Sequence, residues 1–165
     1  LQLVGIRRCG QRERESSIVE KEGIINSGKT LLSFGNYTLN ASFPRPADIF
    51  FLLIKRPLGG LNKEGKMVPR QLGVSFGAMI CQEGVNVGIA TDVPVLYSSF
   101  LVIAHEIGHL LGCRHDGDGP LDYITGHPGA STCANQKNTI MSTSHSQNTF
   151  RFSNCSMQQI RFVLK

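Results

Sequence analysis

No stretch of this 165-residue chain comes near the roughly 20 consecutive apolar residues that cross a bilayer, so no membrane span is expected. Its start, LQLVGIRR, does not set a basic segment ahead of an apolar one. No signal peptide is visible there, and either one has been removed or the chain is a fragment. Cysteine is scattered: Cys9, Cys81, Cys113, Cys133 and Cys155 include no C-x-x-C pair, which argues against a zinc ribbon or a thioredoxin-type site. There is no internal repeat, no low-complexity tract and no nucleic-acid-binding motif. Acidic residues are short only in the first part. Residues 1–70 hold 12 Lys/Arg against 6 Asp/Glu and residues 71–165 hold 5 against 6, so the net charge of +5 arises N-terminally. There Arg7, Arg8, Arg12, Arg14, Lys21 and Lys29 alternate with Glu13, Glu15, Glu20 and Glu22, the pattern of a solvated face. No nucleic-acid partner is expected, and nothing in the sequence specifies an oligomeric state.

What is present suits one globular unit over residues 1–165, with 41% hydrophobic residues to build a core. The odd number of cysteines, widely spaced, is compatible with disulfides in a secreted protein, with at least one cysteine free or paired outside this chain. Asn36-Tyr37-Thr38, Asn40-Ala41-Ser42 and Asn154-Cys155-Ser156 match the N-glycosylation triplet, which adds weight to an extracellular location.

Along the chain, Leu1 to Ile6 reads as a strand and residues 7–30 as a loop with room for a short helix. Leu31 to Leu39 is either helical or irregular, and Phe43-Pro44-Arg45-Pro46 is a break. Asp48 to Lys55, DIFFLLIK, has the continuous apolar pattern of a strand buried on both faces. Residues 56–72, with Pro57, Gly59, Gly60, Gly65 and Pro69, read as a long loop. Gly73 to Ile80 and Val85 to Ile89 read as two more strands. Pro94 to Leu111 carries no charge before His105 and no glycine before Gly108, and predicts a largely buried helix. Ser153 to Leu164 closes the chain as a second helix with Ser153 as its N-cap.

The chemistry concentrates in HEIGHLLGCRHDG, residues 105–117. Residues i and i+4 share a helix face, so His105 and His109 project side by side and can grip one ion. Glu106 is turned by about 100 degrees from His105 and can stand beside that ion without ligating it. Catalytic zinc takes three protein ligands and an open fourth position. Gly112 allows the chain to turn in the left-handed conformation, and three residues later His115 can return to the same ion. Unpaired rings at the end of an uncharged, buried helix would be costly, which weakens the alternative of an ordinary packed pair. The reaction such a set suits is metal-assisted peptide hydrolysis, with Glu106 taking the proton of the attacking water and passing it to the leaving amine.

H-E-x-x-H-x-x-G-x-x-H, followed by Thr139-Ile140-Met141-Ser142, resembles the metzincin signature, and Asp116 after the third histidine resembles the adamalysin/reprolysin (ADAM-like) branch. Leu111-Gly112-Cys113 and His115-Asp116-Gly117 are similar to the secreted reprolysins of tick saliva. Gly73 to Cys81 resembles the family's edge strand and following cysteine, Phe152 to Ser156 the start of its C-terminal helix, residues 1–6 its second strand and 48–55 its third. The resemblance is strong over 73–156 and weak over 7–47.

It implies a metzincin-like α/β (α+β) fold: a mixed twisted sheet packed on the active-site helix, then an irregular C-terminal subdomain ending in a helix. It implies Zn2+ on His105, His109 and His115, and Glu106 as general base. Met141 would form a floor beneath the metal, and Asp116 would either brace the turn or be a solvated loop acid. Gly73, Val74, Ser75, Phe76, Gly77 and Ala78 would pair with an extended protein or peptide substrate. Residues 142–150 would wall a specificity pocket. His127 and His145 are read as solvated loop histidines.

The chain also departs from the family. A first strand and a long helix, roughly 30–50 residues, normally precede the strand matched by LQLVGI, so the domain is expected to be partial. The family usually pairs the cysteine matched by Cys81 with one beyond the last helix, and this chain stops at Lys165, so Cys81 is expected free or irregularly paired. Cys133–Cys155 is the expected disulfide, since it would tie the loop after the histidines to the final helix; Cys9 and Cys113 have no assigned partner. A secreted zinc endopeptidase is the leading reading. The rivals are a noncatalytic reprolysin-like binding protein, against which the intact Glu106 argues, and a basic matrix or heparin binder whose affinity would fall with salt.

Overall fold

The computed structural model describes residues 2–41, 43, 47–92, 99–143 and 150–165. Helix α1 (Gln11–Ser17) leads into a hairpin of β1 (Glu20–Lys21) and β2 (Ile24–Asn26), then helix α2 (Ser27–Asn40). Asn26 caps α2 by accepting the amide of Lys29 through its side chain, at 3.0 Å. Thr30, Leu31, Phe34 and Thr38 recur at helical spacing and are the buried stripe of α2. The segment left open between helix and irregular structure is therefore helical.

Five strands follow: β3 (Phe50–Ile54), β4 (Leu58–Leu61), β5 (Met67–Gln71), β6 (Gly73–Ser75) and β7 (Val87–Thr91). They form two mixed sheets. In one, β2 runs parallel to β4, which is antiparallel to β5, giving the order β1-β2-β4-β5. In the other, β7 lies between β3, parallel from Phe50↔Val87 to Ile54↔Thr91, and β6, antiparallel from Gly73↔Ala90 to Ser75↔Gly88. With a strand on either side and both α2 and helix α3 (Ser99–Leu110) packed on it, β7 is buried throughout. The main core joins Ile25, Leu31, Phe34, Leu52, Ile54, Leu58, Val87 and Ile89. Beyond α3, the described residues contain only a 3-10 turn (Ser131–Cys133) and helix α4 (Asn154–Val163), N-capped by the Ser153 side chain. Cys133 and Cys155 form a disulfide that ties that turn to α4, while Cys9 and Cys81 are exposed free thiols and Cys113 a buried one.

Several expectations need correction. Residues 2–6 form no strand: Leu3 is 74% exposed and Ile6 87%. A strand exists only where a neighbour takes its amides and carbonyls, and among the described residues none pairs with this segment. Residues 56–72 are not a long loop but contain the β4–β5 hairpin. Pro69 is tolerated because β5 is an edge strand, and the turn is held by the Asn62 side chain accepting from the amides of Glu64 and Lys66. The DIFFLLIK strand is not buried on both faces, since Leu53 is exposed. The strand expected over 73–80 stops at Ser75, and the next spans Val87–Thr91 rather than 85–89. Of the helix expected from Pro94, residues 94–98 lie outside the described residues.

The same substitution at two positions of α2 should act in opposite directions. A Cβ on Gly35 would fall 1.9 Å from the backbone carbonyl oxygen of Gly84, whereas one on Gly28 meets nothing within 4 Å. Gly35→Ala should cost about 1–3 kcal/mol through overpacking, and Gly28→Ala should gain up to about 1 kcal/mol of helix propensity. Thermal unfolding reads both, and an unchanged Tm for Gly35→Ala would refute the close packing of α2 on Gly84.

Candidate metal centre

Helix α3 ends in the segment that carries His105, Glu106 and His109. Four residues apart, the two histidines share a face, with ring centroids at 4.8 Å. The chain then reverses. Cys113 N donates to Gly108 O at 2.8 Å and Gly112 N to His109 O at 2.9 Å, with Gly112 at φ +96°: the two-bond helix end that demands a left-handed residue. A Cβ there would also strike the Val163 side chain at 2.4 Å. The reversal delivers His115 to within 5.0 Å of His105 and 4.8 Å of His109, centroid to centroid. One ligand atom from each of the three lies within 4.8 Å of the others.

Each ring has its outer nitrogen engaged. His105 Nδ1 meets Ile140 O at 2.6 Å, His109 Nδ1 meets Cys113 O at 2.8 Å, and His115 Nδ1 lies 3.5 Å from Asp118 Oδ2. A carbonyl only accepts, so Nδ1 carries the hydrogen in His105 and His109 and leaves the Nε2 lone pair for a cation. His105 Nε2 and His115 Nε2 are 3.1 Å apart. Burial, aided by the neighbouring His105, lowers the pKa of His109 to about 4, so this ring is neutral and available at physiological pH. Three imidazole nitrogens with backed tautomers fit the donor set of a divalent borderline metal.

Glu106 is only 5% exposed. Burial raises its pKa from 4.5 to about 7, against a hydrogen bond from Ser75 Oγ to Oε2, at 2.7 Å, that favours the ionised form. The Ser75 hydroxyl also lies 3.0 Å from the Glu106 carbonyl oxygen, fastening β6 to α3. Gly73 leaves the space: a Cβ on it would come within 2.7 Å of Glu106 Oε1 and 2.6 Å of Val102 Cγ1. Among the described residues the outer edge of β6 has no strand partner. Phe76, Gly77 and Ala78 continue as a bend, where Ala78 N and Ile80 N donate to His109 O and Leu110 O and satisfy the last carbonyls of the helix.

Met141 is fully buried with Ile140 and Cys113, against Ala104 and Phe152, and Gly108 provides its slot, since a Cβ there would sit 2.5 Å from Met141 Sδ. Burial pushes the Cys113 thiol up to about 12, so it is an inert apolar neighbour. Asp116 is buried rather than solvated. It accepts from Thr139 Oγ1 and from Ser153 Oγ, and its amide donates to Met141 O at 2.9 Å, so the loop after His115 is tied to the Met141 segment and to the α4 N-cap.

Two residues had no signal in the sequence. Fully buried Gln159 accepts the Arg114 amide through Oε1 at 2.9 Å. His127, expected in solvent, is 5% exposed: Nε2–H donates to Gly112 O, while Nδ1 accepts the amides of Leu121 and Gly129. His145 and residues 144–149 of the expected pocket wall lie outside the described residues.

A histidine-lined centre at the end of a helix, backed by a mixed sheet and a buried carboxylate, is the arrangement of a metallopeptidase. The chain belongs to metallopeptidase family M12, whose reprolysin profile matches residues 61–153. It is 32% identical over 121 residues to an antarease-like venom metalloproteinase of Tityus serrulatus, covering 73% of this chain and 52% of that protein. It is 29% identical over 143 residues to a venom metalloproteinase of Olivierus martensii, covering 85% of this chain and 34% of that protein. A protein of Bombyx mori named a disintegrin and metalloproteinase with thrombospondin motifs like is 45% identical over 69 residues, 41% of this chain and 10% of that protein. The chain thus spans about half or less of the length of these relatives.

Glu106 makes stability depend on pH in a way one variant isolates. Its folded pKa is raised, so the folded state binds more protons than the unfolded one between about pH 4.5 and 7, and stability from this group is lost as pH rises through that window. In metal-free protein, Glu106→Gln should gain on the wild type across the window by up to about 3 kcal/mol and level off above it. The lowered pKa of His109 acts on both proteins and cancels in the difference. Denaturant unfolding at several pH values measures this, and a difference independent of pH would refute the buried-carboxylate reading.

Proposed function

We propose that this chain is a zinc-dependent endopeptidase domain, carried by one observation: three histidines converge within reach of one ion beside the buried carboxylate of Glu106. His105, His109 and His115 would hold the zinc, each oriented through its Nδ1 partner. Zinc, when bound there, supplies a Lewis acid that acidifies water and polarises a peptide carbonyl. Glu106 is the general base. Buried beside the three histidines, its carboxylate would take a proton during attack and return one to the leaving amine. Ser75 holds that carboxylate in one orientation while favouring its ionised form. The outer edge of β6, which has no strand partner among the described residues, would with the bend through Phe76, Gly77 and Ala78 line an extended peptide by strand addition. Met141 closes the apolar side of the centre, while Gly112 and Asp116 fix the path to the third histidine. We take residues 1–165 as one partial catalytic domain whose substrates are extracellular proteins or peptides.

Secretion is part of the reading. The Cys133–Cys155 disulfide and the exposed Asn36 and Asn40 support it, and no helix among the described residues is long and apolar enough to cross a membrane. Expressed through a eukaryotic secretory route, the chain should lose mass on N-glycosidase treatment, and Asn36→Gln with Asn40→Gln should remove most of that loss.

Zinc per chain and cleavage of a denatured protein substrate test the mechanism. The wild type should bind one zinc and turn over. Glu106→Ala should keep the zinc and lose activity by about 10²-fold or more, and His109→Ala should lose both. Equal turnover by wild type and Glu106→Ala would remove Glu106 as the base. Zinc bound without turnover in the wild type would favour the noncatalytic binding protein.

A further inference from the structure

The cluster's fourth histidine neighbour has no role in the chemistry above, yet it is more completely buried than the three that do. We propose that His127 is a positioning residue: its imidazole locks the chain reversal at Gly112 and so sets where His109 and His115 present their nitrogens. The proposal rests on the reading of those histidines as zinc ligands.

The hydrogen bonds fix the tautomer. Nδ1 accepts two backbone amides, from Leu121 and Gly129, each at 3.2 Å, so the ring hydrogen is on Nε2, which points at Gly112 O at 2.9 Å. Both nitrogens are thereby used, and the ring has no lone pair left to offer a metal or a substrate. Its edge meets the Phe162 ring of α4, at 5.9 Å between centroids and 87° between planes. The loop around it is irregular and closes on itself through Gly117 N→Ala130 O and Ala130 N→Asp118 O. His127 plugs that loop and fastens it to the turn between the second and third histidines.

The path from ring to centre is short. Gly112 lies three residues after His109 and three before His115. Its peptide leads directly into Cys113, whose carbonyl orients His109 Nδ1 and whose amide closes the helix end on Gly108. Without a donor on its carbonyl, a left-handed glycine is the residue freest to change conformation. A rotation there would redirect the Cys113 carbonyl and the approach of His115 together.

Substituents separate this coupling from general packing. Gln places its amide nitrogen near the position of imidazole Nε2 and keeps a donor for Gly112 O. Asn is shorter and keeps only the acceptor for the loop amides, and Phe keeps the bulk with neither. Zinc affinity of the full chain is measured by competition with a chromophoric chelator, and the visible spectrum of the cobalt-substituted form reports ligand geometry. Unfolding of each zinc-free form reports stability. His127→Asn and His127→Phe should weaken zinc by about tenfold or more and alter the cobalt spectrum, while His127→Gln stays within about threefold of wild type. Should the Phe variant not fold, the Asn and Gln pair still decides. Equal zinc affinity for Asn and Gln, or stability lost in the Asn variant with its zinc affinity and cobalt spectrum unchanged, overturns the positioning role while leaving the zinc site standing. A wild type that binds no zinc overturns both.

Discussion

Three imidazoles turned toward one point crowd one another, and this structure holds them there from behind. Each Nδ1 is tied to an acceptor: the Ile140 carbonyl, the Cys113 carbonyl and the Asp118 carboxylate. Two of those acceptors lie within four residues of the ring they hold, so the reversal at Gly112 that brings His115 back also builds the supports. The left-handed glycine is thus the conformational condition for the whole centre. A side chain there would meet both a backbone penalty and the Val163 side chain.

The carboxylate answers to a different balance. Glu106 faces the short edge strand β6, where Gly73 yields room and Ser75 supplies a hydroxyl. Burial favours the neutral acid and the hydroxyl favours the anion, and burial prevails only far enough to bring the group near neutrality. A strand of three residues is enough because β7, with which it pairs, is itself held by β3 and the helices.

Beyond α3 the described residues have little regular structure to satisfy their backbone, and side chains take over that task. Asp116 joins Thr139 and the capping Ser153, Gln159 catches the Arg114 amide, His127 spans three loop segments, and the disulfide anchors the 3-10 turn to α4. Such networks are stiff when fully satisfied, which suits a segment that must hold His115 and Met141 in fixed places. The reprolysin profile, residues 61–153, includes this region up to Ser153.

Local rules were legible in the sequence. His105 and His109 share a face because a helix repeats every 3.6 residues, Gly112 marks the helix end because of its φ, and Ser153 caps α4 because its hydroxyl reaches an orphan amide. The apolar run DIFFLLIK announced β3, though Leu53 turned outward, and Val85 to Ile89 announced the first part of β7. What the tertiary structure alone decided involves partners far apart in sequence: Ser75 on Glu106 across 31 residues, Gln159 on the Arg114 amide across 45, His127 on Gly112 across 15. Pro69 could stand in a strand only because β5 is an edge, and Leu3 to Ile6, strand-like in composition, form none because no backbone among the described residues pairs with them. Periodicity and turn chemistry are properties of adjacent residues; hydrogen-bond partnership and burial belong to whatever the folded chain brings alongside.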